Sequence, residues 1–344
     1  MTFPDKLRVL VVDDSAMFRR AITRALGEMP EVHKIDTAVD GEEALLKIKG
    51  LQPDVVTLDL EMPGMDGLAT LRELRQQGLR TRVLVVSAYG GEKRVVEALC
   101  LGAEDFILKP VSKPDGPRPT LKALLEGKFR KLFRPQSPAL GVAPISTAPA
   151  PVALVVMGVS TGGPNALAEI LPQMTRPVAV PIVIVQHISA DFIPLLAERL
   201  RSKCSMPLHE AEANQVLQPG NIYLVPGNYH MEVTGTQDSP RAHLSQGPTE
   251  NGCRPAADVL FRSAARLFGP ECLAVVMTGM GKDGLAGCRA IVAAGGRCIA
   301  QDRESCVVWG MPRLVTEAGL ACEVPLAQIG HRIMEMVEQG CRPR

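Results

Sequence analysis

Apolar residues fall along this chain in short unbroken runs, each ending in small or charged residues and followed by a stretch with helical spacing. The first, Leu7 to Val12, runs into Asp13, Asp14 and Ser15, after which Met17, Ile22, Ala25 and Leu26 recur at helical intervals. The same grammar returns at Asp54 to Leu58, Val83 to Val86 and Phe106 to Leu108. Strands and helices alternating at this length predict an α/β fold whose parallel sheet is wound on both faces. Further along, Leu154, Val155, Val156 and Met157 break into Gly158-Val159-Ser160-Thr161-Gly162-Gly163-Pro164, with a helix pattern from Asn165 to about Gln173. Ile182 to Val185 ends in Gln186 and His187, and Cys272 to Met277 ends in Thr278 through Gly284 before another helix. The second half thus predicts its own Rossmann-like doubly wound sheet.

Between the halves the pattern changes. Pro114, Pro117, Pro119, Pro135, Pro138, Pro144, Pro149 and Pro151 interrupt any long element from Ser112 to Pro151. Inside that stretch Leu121, Leu124, Leu125, Phe129, Leu132 and Phe133 share a helical face beside Lys122, Lys128, Arg130, Lys131 and Arg134. A basic amphipathic helix can bind a membrane or a partner groove, but a doubly wound domain also needs a last helix over its final strand. A chain of 344 residues is long for one core, so we expect a first domain at 1–125, a Pro/Ala-rich linker at 126–151 and a second domain at 152–344.

Charge and cysteine usage narrow the classes of partner. A net charge of +1 argues against nucleic acid, which calls for a strongly basic face. No apolar run approaches the ~20 residues of a membrane span, and Met1 to Lys6 lacks a secretory apolar core, so the expected location is cytoplasmic, without membrane insertion. The nine cysteines are scattered without metal or redox spacing, as buried reduced thiols would be.

Ligands of parallel sheets collect at the carboxyl ends of strands, and the first-half strands end in a coherent chemistry. Asp13 and Asp14 follow the first, Asp59 the third, Ser87 the fourth and Lys109 the fifth. Three carboxylates together suit a hard cation such as magnesium, while a lysine and a hydroxyl opposite them can hold phosphate oxygens. Each residue alone would more often be a helix cap or a solvated loop end. Together with Met62-Pro63-Gly64-Met65-Asp66-Gly67, they make Lys6 to about Leu125 resemble the receiver domain of bacterial two-component response regulators. The resemblance implies that Asp59 accepts a phosphoryl group from a histidine kinase, that Asp13 and Asp14 hold Mg2+ with it, and that Ser87 and Lys109 read the acyl phosphate.

In the second half, the turn at Ser160 lifts a side chain at a sheet edge beside helix-start N–H groups. Such a turn serves structure, a phosphate cradle or a nucleophile. A dinucleotide site would want glycine where Ser160 stands, and a P-loop would want a Gly-Lys-Ser/Thr ending. A serine hydroxyl needs an imidazole to take its proton and a carboxylate to orient that imidazole, and His187 and Asp283 follow strands at the same expected edge. His230 is the rival base, but Pro226, Gly227 and Asn228 place a turn before it; Asp302 is the rival acid, without the glycines that flank Asp283. A second domain that only binds a phosphorelay partner is the contrasting, non-enzymatic reading.

Gly158 to Pro164, Gln186-His187, Arg254-Pro255 through Phe261, Thr278 to Gly284, Ala294-Gly295-Gly296, Ala300-Gln301-Asp302 and Val307 to Pro312 resemble the chemotaxis protein-glutamate methylesterases, the CheB family. That resemblance implies a Ser160, His187 and Asp283 triad, with the backbone N–H of Met280 helping to hold the oxyanion and no cofactor for hydrolysis. It also implies demethylation of glutamate γ-methyl esters and deamidation of glutamines on chemoreceptors, with the receiver covering the catalytic face until Asp59 is modified. Ala256 departs from the serine common in the family at its position, which could alter the capping of a helix near the site.

Overall fold

The computed structural model describes residues 6–79, 81–88, 91–109, 120–133 and 150–339. The chain divides into two compact units, Met1–Ser137 and Pro138–Arg344.

In the first unit β1 (Leu7–Val12), α1 (Ala16–Gly27), β2 (Val32–Ala38), α2 (Gly41–Leu51), β3 (Val55–Leu58), α3 (Gly67–Gln76), β4 (Arg82–Ser87), α4 (Glu92–Cys100) and β5 (Asp105–Leu108) alternate in strict succession, and α5 (Leu121–Phe133) completes the order. The strands form one parallel sheet, β2-β1-β3-β4-β5. Strand order reverses between β1 and β3, so the residues that follow them, Asp13 and Asp59, flank a crevice at the carboxyl edge. The helices start on side-chain caps where the sequence supplies them: Ser15, Asp40 and Asp66 accept from the third backbone N–H beyond. The last helix runs on to Phe133, so position 125 falls inside it rather than at a boundary. Leu125, Phe129 and Leu132 are buried at helical spacing, and burying such side chains is worth about 1.5–3 kcal/mol each, reason enough for the helix to continue. Of the expected proline-rich connector, 112–119 and 134–149 lie outside the described residues.

The second unit adds β6 (Leu154–Val159), α6 (Gly163–Ile170), β7 (Ile182–Gln186), α7 (Ile193–Arg201), β8 (Leu208–Glu210), β9 (Ile222–Leu224), β10 (His230–Gly235), β11 (Pro240–Ser245), α8 (Ala257–Phe268), β12 (Cys272–Val276), α9 (Leu285–Ala293), β13 (Arg297–Gln301), α10 (Met311–Glu317), β14 (Cys322–Val324) and α11 (Leu326–Glu338). Seven strands form a parallel sheet in the order β14-β13-β12-β6-β7-β9-β8, and β10 and β11 pair as a separate antiparallel hairpin. Every residue of β6, β7 and β12 is buried, as expected of central strands covered on both faces. One of those faces packs Val156, Val183 and Val276 with Phe261 and Phe268 of α8. The chain leaves β6 toward β7 and later returns to β12 on the other side of β6, so the switch point falls between β6 and β12.

Among the described residues Cys100, Cys272, Cys288 and Cys298 are buried as expected, whereas Cys204, Cys253 and Cys306 are half-buried and Cys322 is exposed. No helix among the described residues is long and apolar enough to cross a membrane.

Candidate active site and receiver cluster

The ladder of the second sheet continues one residue past its central strands. The His187 N–H donates to the Val159 carbonyl at 2.9 Å, and the Ser160 N–H donates to the Thr278 carbonyl at 3.0 Å. These bonds zip the ends of β6, β7 and β12 together at the switch point. Ser160 then enters a tight turn, closed by the Gly163 N–H on the Ser160 carbonyl at 2.8 Å, that leads into α6. Gly162 takes φ +78° there, a conformation that costs glycine nothing. The loop after β12 passes so close that a Cβ on Gly279 would lie 2.6 Å from that of Ser160. Gln186, buried at the end of β7, donates from Nε2 to the Ser160 carbonyl at 2.9 Å and to that of His187 at 3.2 Å.

His187 Nε2 lies 2.8 Å from Asp283 Oδ2. A carboxylate only accepts, so Nε2 carries the proton and Nδ1 is the basic nitrogen of the neutral ring. Asp283 is buried, and its two oxygens are saturated. Oδ2 also accepts from the Ala257 N–H at 2.6 Å, and Oδ1 accepts from the Asp258 N–H at 3.0 Å and Asn251 Nδ2 at 3.0 Å. Asp283 therefore caps α8 from outside, supplying what Ala256, the alanine in the cap position, cannot. Burial by itself would raise the Asp283 carboxyl; His187 and the two helix N–H groups bring it below the ordinary aspartate value. Burial likewise pulls the His187 imidazole down, but the hydrogen bond to Asp283, with a further contribution from the neighbouring Cys253 thiol, raises it to about 9.

Of the expected residues, His187 and Asp283 meet directly, while Ser160 shares their rim without a hydrogen bond to His187. Among the described residues the Met280 N–H has no hydrogen-bond partner, nor have those of Thr161 and Gly162 at the start of α6. The rivals have structural duties. His230 accepts from the Ala256 N–H at Nδ1 (3.2 Å) and donates from Nε2 to the Pro248 carbonyl (2.9 Å), which occupies both ring nitrogens. Asp302 takes the Ser305 N–H and hydroxyl in a local turn. Gln186 and Asp258 lie in the quoted motifs but the sequence gives them no role of their own, and Asn251 carries only the local signal of a turn, in the Asn251-Gly252 dipeptide.

In the first unit, the Asp59 N–H donates to the Val12 carbonyl at 2.9 Å, which sets Asp59 beside Asp13 across the β1–β3 crevice. Carboxylate oxygens of Asp13, Asp14 and Asp59 lie within 4.8 Å of one another. Lys109 Nζ bridges two of them, at 2.8 Å from Asp13 Oδ2 and in a short contact with Asp59 Oδ2. Burial works against the lysine's charge, but Asp13 and Asp59 raise its pKa above the ordinary value; burial, with Asp59 beside it, raises Asp13. Three carboxylates facing one ammonium form an oxygen-only donor set with excess negative charge, which suits a hard divalent cation. The Lys109 N–H donates to the Ser87 carbonyl at 2.7 Å, and the buried Ser87 hydroxyl has no partner among the described residues.

Comparison with known proteins assigns a family to each half of the chain. A family model described as CheB methylesterase matches residues 155–333, and one described as response regulator receiver domain matches residues 9–116. A protein-glutamate methylesterase/protein-glutamine glutaminase of Nocardioides sp. is 41% identical over 95% of this chain and 94% of its own length. One from Koribacter versatilis is 42% identical over 91% of each chain. The crystal structure of the Thermotoga maritima CheB methylesterase catalytic domain superposes with a TM-score of 0.53 at 37% identity, covering 54% of this chain and 99% of that one. Alike in both halves and over nearly its whole length, the chain belongs to the CheB methylesterase family.

Proposed function

We propose that this chain hydrolyses glutamate γ-methyl esters on the cytoplasmic helices of methyl-accepting chemoreceptors, releasing methanol, and deamidates receptor glutamines, under control of phosphorylation at Asp59. The observation that carries the reading is the His187–Asp283 pair on the rim that presents Ser160. With Nε2 held by Asp283, His187 Nδ1 takes the Ser160 proton as the hydroxyl attacks the acyl carbon. The imidazolium passes that proton to departing methanol, or to ammonia from an amide. Water, activated by the same nitrogen, then resolves the acyl-enzyme. The free N–H of Met280 serves the oxyanion, with that of Thr161 as a second donor; such donors are worth about 2.7–4 kcal/mol each in a preorganised site.

Phosphoryl transfer to Asp59 comes from a histidine kinase. Asp13, Asp14 and Asp59 would hold Mg2+, which when bound offsets the charge gathered on carboxylate and phosphoryl oxygens. Lys109 and the Ser87 hydroxyl are then the groups that can follow the new phosphoryl oxygens.

The test is methanol release from methylated receptor by the full chain, with and without a small acyl-phosphate donor. Ser160→Ala should lose at least about a thousandfold in kcat. Release at the normal rate from Ser160→Ala would remove the serine mechanism, and no release from the wild type, with or without the donor, would favour a second domain that only binds.

A further inference from the structure

The residues Glu250 to Cys253 form a two-residue turn closed on both sides, Glu250 N–H to the Cys253 carbonyl at 3.1 Å and Cys253 N–H to the Glu250 carbonyl at 2.9 Å. Its central residues, Asn251 and Gly252, have φ of +54° and +76°, the signs a type I′ turn requires and the reason Asn-Gly stands there. The turn is braced from both ends. The Glu250 carboxylate meets the Arg262 guanidinium of α8 with two bonds, 2.6 and 2.7 Å. Arg254 reaches Asn228 Oδ1 and the carbonyls of Gln246 and Gly247. Such bracing is more than a surface turn needs to exist, and it fixes where the Asn251 side chain points.

That side chain spans two carboxylates. Asn251 Nδ2 donates to Asp258 Oδ2 at 2.9 Å and to Asp283 Oδ1 at 3.0 Å, so the two hydrogens of one amide serve two acids. Both acids are only 2% exposed. The far oxygen of Asp258 is held by the Gly287 N–H at 2.7 Å, which leaves Asp258 no freedom to turn away. Two neighbouring buried carboxylates repel, and a donor between them is the cheapest way to keep both in place. Fixing Oδ1 of Asp283 also fixes the rotation that aims Oδ2 at His187.

We infer that Asn251 is a positioning residue for hydrolysis: its carboxamide bridges Asp258 and Asp283 and thereby sets the orientation and charge that Asp283 offers to His187. It touches no reacting atom and acts through Asp283, so the inference rests on the triad reading above.

Two substitutions separate this role from turn formation, because both tolerate positive φ. Asn251→Gly keeps the turn and removes the donor; Asn251→Asp keeps the size and replaces the donor with a third carboxylate. In the full chain, with methylated receptor as substrate, Asn251→Gly should lose about 10- to 100-fold in kcat with KM unchanged. Its acid limb should move to higher pH, since a carboxylate relieved of one donor holds the imidazolium more strongly. Asn251→Asp should lose more at pH 8 and recover relative to the wild type as pH falls, when a shared proton restores a donor. Wild-type kcat and pH profile in Asn251→Gly, or a loss confined to KM, would overturn the inference. Should Asn251→Gly fail to show a cooperative unfolding transition, Asn251→Asp decides by the same criteria. Ser160→Ala, assayed alongside, separates the failures: an inactive Ser160→Ala beside a normal Asn251→Gly rejects the inference alone, whereas an active Ser160→Ala rejects the triad beneath it.

Discussion

In the proposed mechanism the His187 imidazole decides when the Ser160 hydroxyl can be activated, because a general base works only in its unprotonated form. Burial would make it a weaker base, but the Asp283 carboxylate reverses that and raises it to about 9. The acid limb of kcat/KM, which reports the free enzyme, should therefore lie well above the ordinary histidine value of about 6.5, with the rate still rising through neutral pH. Asp283→Asn removes the opposing charge and leaves the burial. Its acid limb should fall to 6.5 or below, while kcat drops by about 10³- to 10⁴-fold, since the ring loses its orientation and its imidazolium loses its partner. Methanol release measured from pH 6 to 10 checks both. An acid limb that stays in place when Asp283 is replaced would mean that the pair seen at 2.8 Å does not govern the reaction.

At the scale of elements, the join of β4 and β5 carries a testable cost. Glu104, just before β5, is buried, accepts from the Val83 N–H that opens the apolar part of β4, and lies 3.7 Å from Arg75 Nη2. Burial raises its carboxyl to about 7, with Arg75 and the Val83 bond only partly offsetting. The folded state thus binds a proton that the unfolded chain, with an ordinary glutamate, has released; stability falls as pH rises from about 4.5 to about 7, by on the order of 3 kcal/mol. Glu104→Gln keeps an acceptor for Val83 without the charge. By calorimetry on the full chain it should raise the receiver transition by several degrees at pH 8 and change it little at pH 5. An equal effect at both would remove the charge explanation. The same elements show what a sequence discloses. β1, β6, β7 and β12 were readable because strands covered on both faces are continuous apolar runs, and Ser160, His187 and Asp283 because each follows such a run. β8 and β14 are three-residue edge strands, too short for any period, and β10 alternates His230, Glu232 and Thr234 with Met231 and Val233, a period of two that a search for continuous apolar runs passes over. Asn251 and the Gln186 amide stayed hidden for a different reason: they act through side-chain hydrogen bonds between segments distant in sequence, which periodicity does not encode.

For the molecule as a whole, the question is how much a phosphoryl group on the first unit can do for a reaction on the second. The units have separate sheets and separate cores, so the signal must bias an equilibrium between two states of the chain rather than rebuild either site. Full conversion from 1:99 to 99:1 would demand about 5.5 kcal/mol. What the receiver can supply is smaller. Lys109 already serves Asp13 and Asp59, so the proposed phosphoryl group on Asp59 would redirect an existing charge instead of recruiting a new one, and the Ser87 hydroxyl, which has no partner among the described residues, would add one hydrogen bond. The redirected charge-assisted bond, about 1.5–3 kcal/mol, and the Ser87 bond, about 0.5–1.5 kcal/mol, together shift the equilibrium by roughly 30- to 2000-fold, short of the roughly 10⁴ that full conversion demands. An acyl-phosphate donor should accordingly raise methanol release by that range in the full chain. Asp59→Asn should abolish the response, and Lys109→Ala should still take up phosphate yet respond weakly. The fragment 150–344, which keeps the complete seven-stranded sheet, should ignore the donor and run at or above the unstimulated rate. Slower hydrolysis by that fragment, with its cooperative unfolding intact, would mean that the receiver supports the reaction instead of restraining it, because removing a restraint cannot lower the population of the active state.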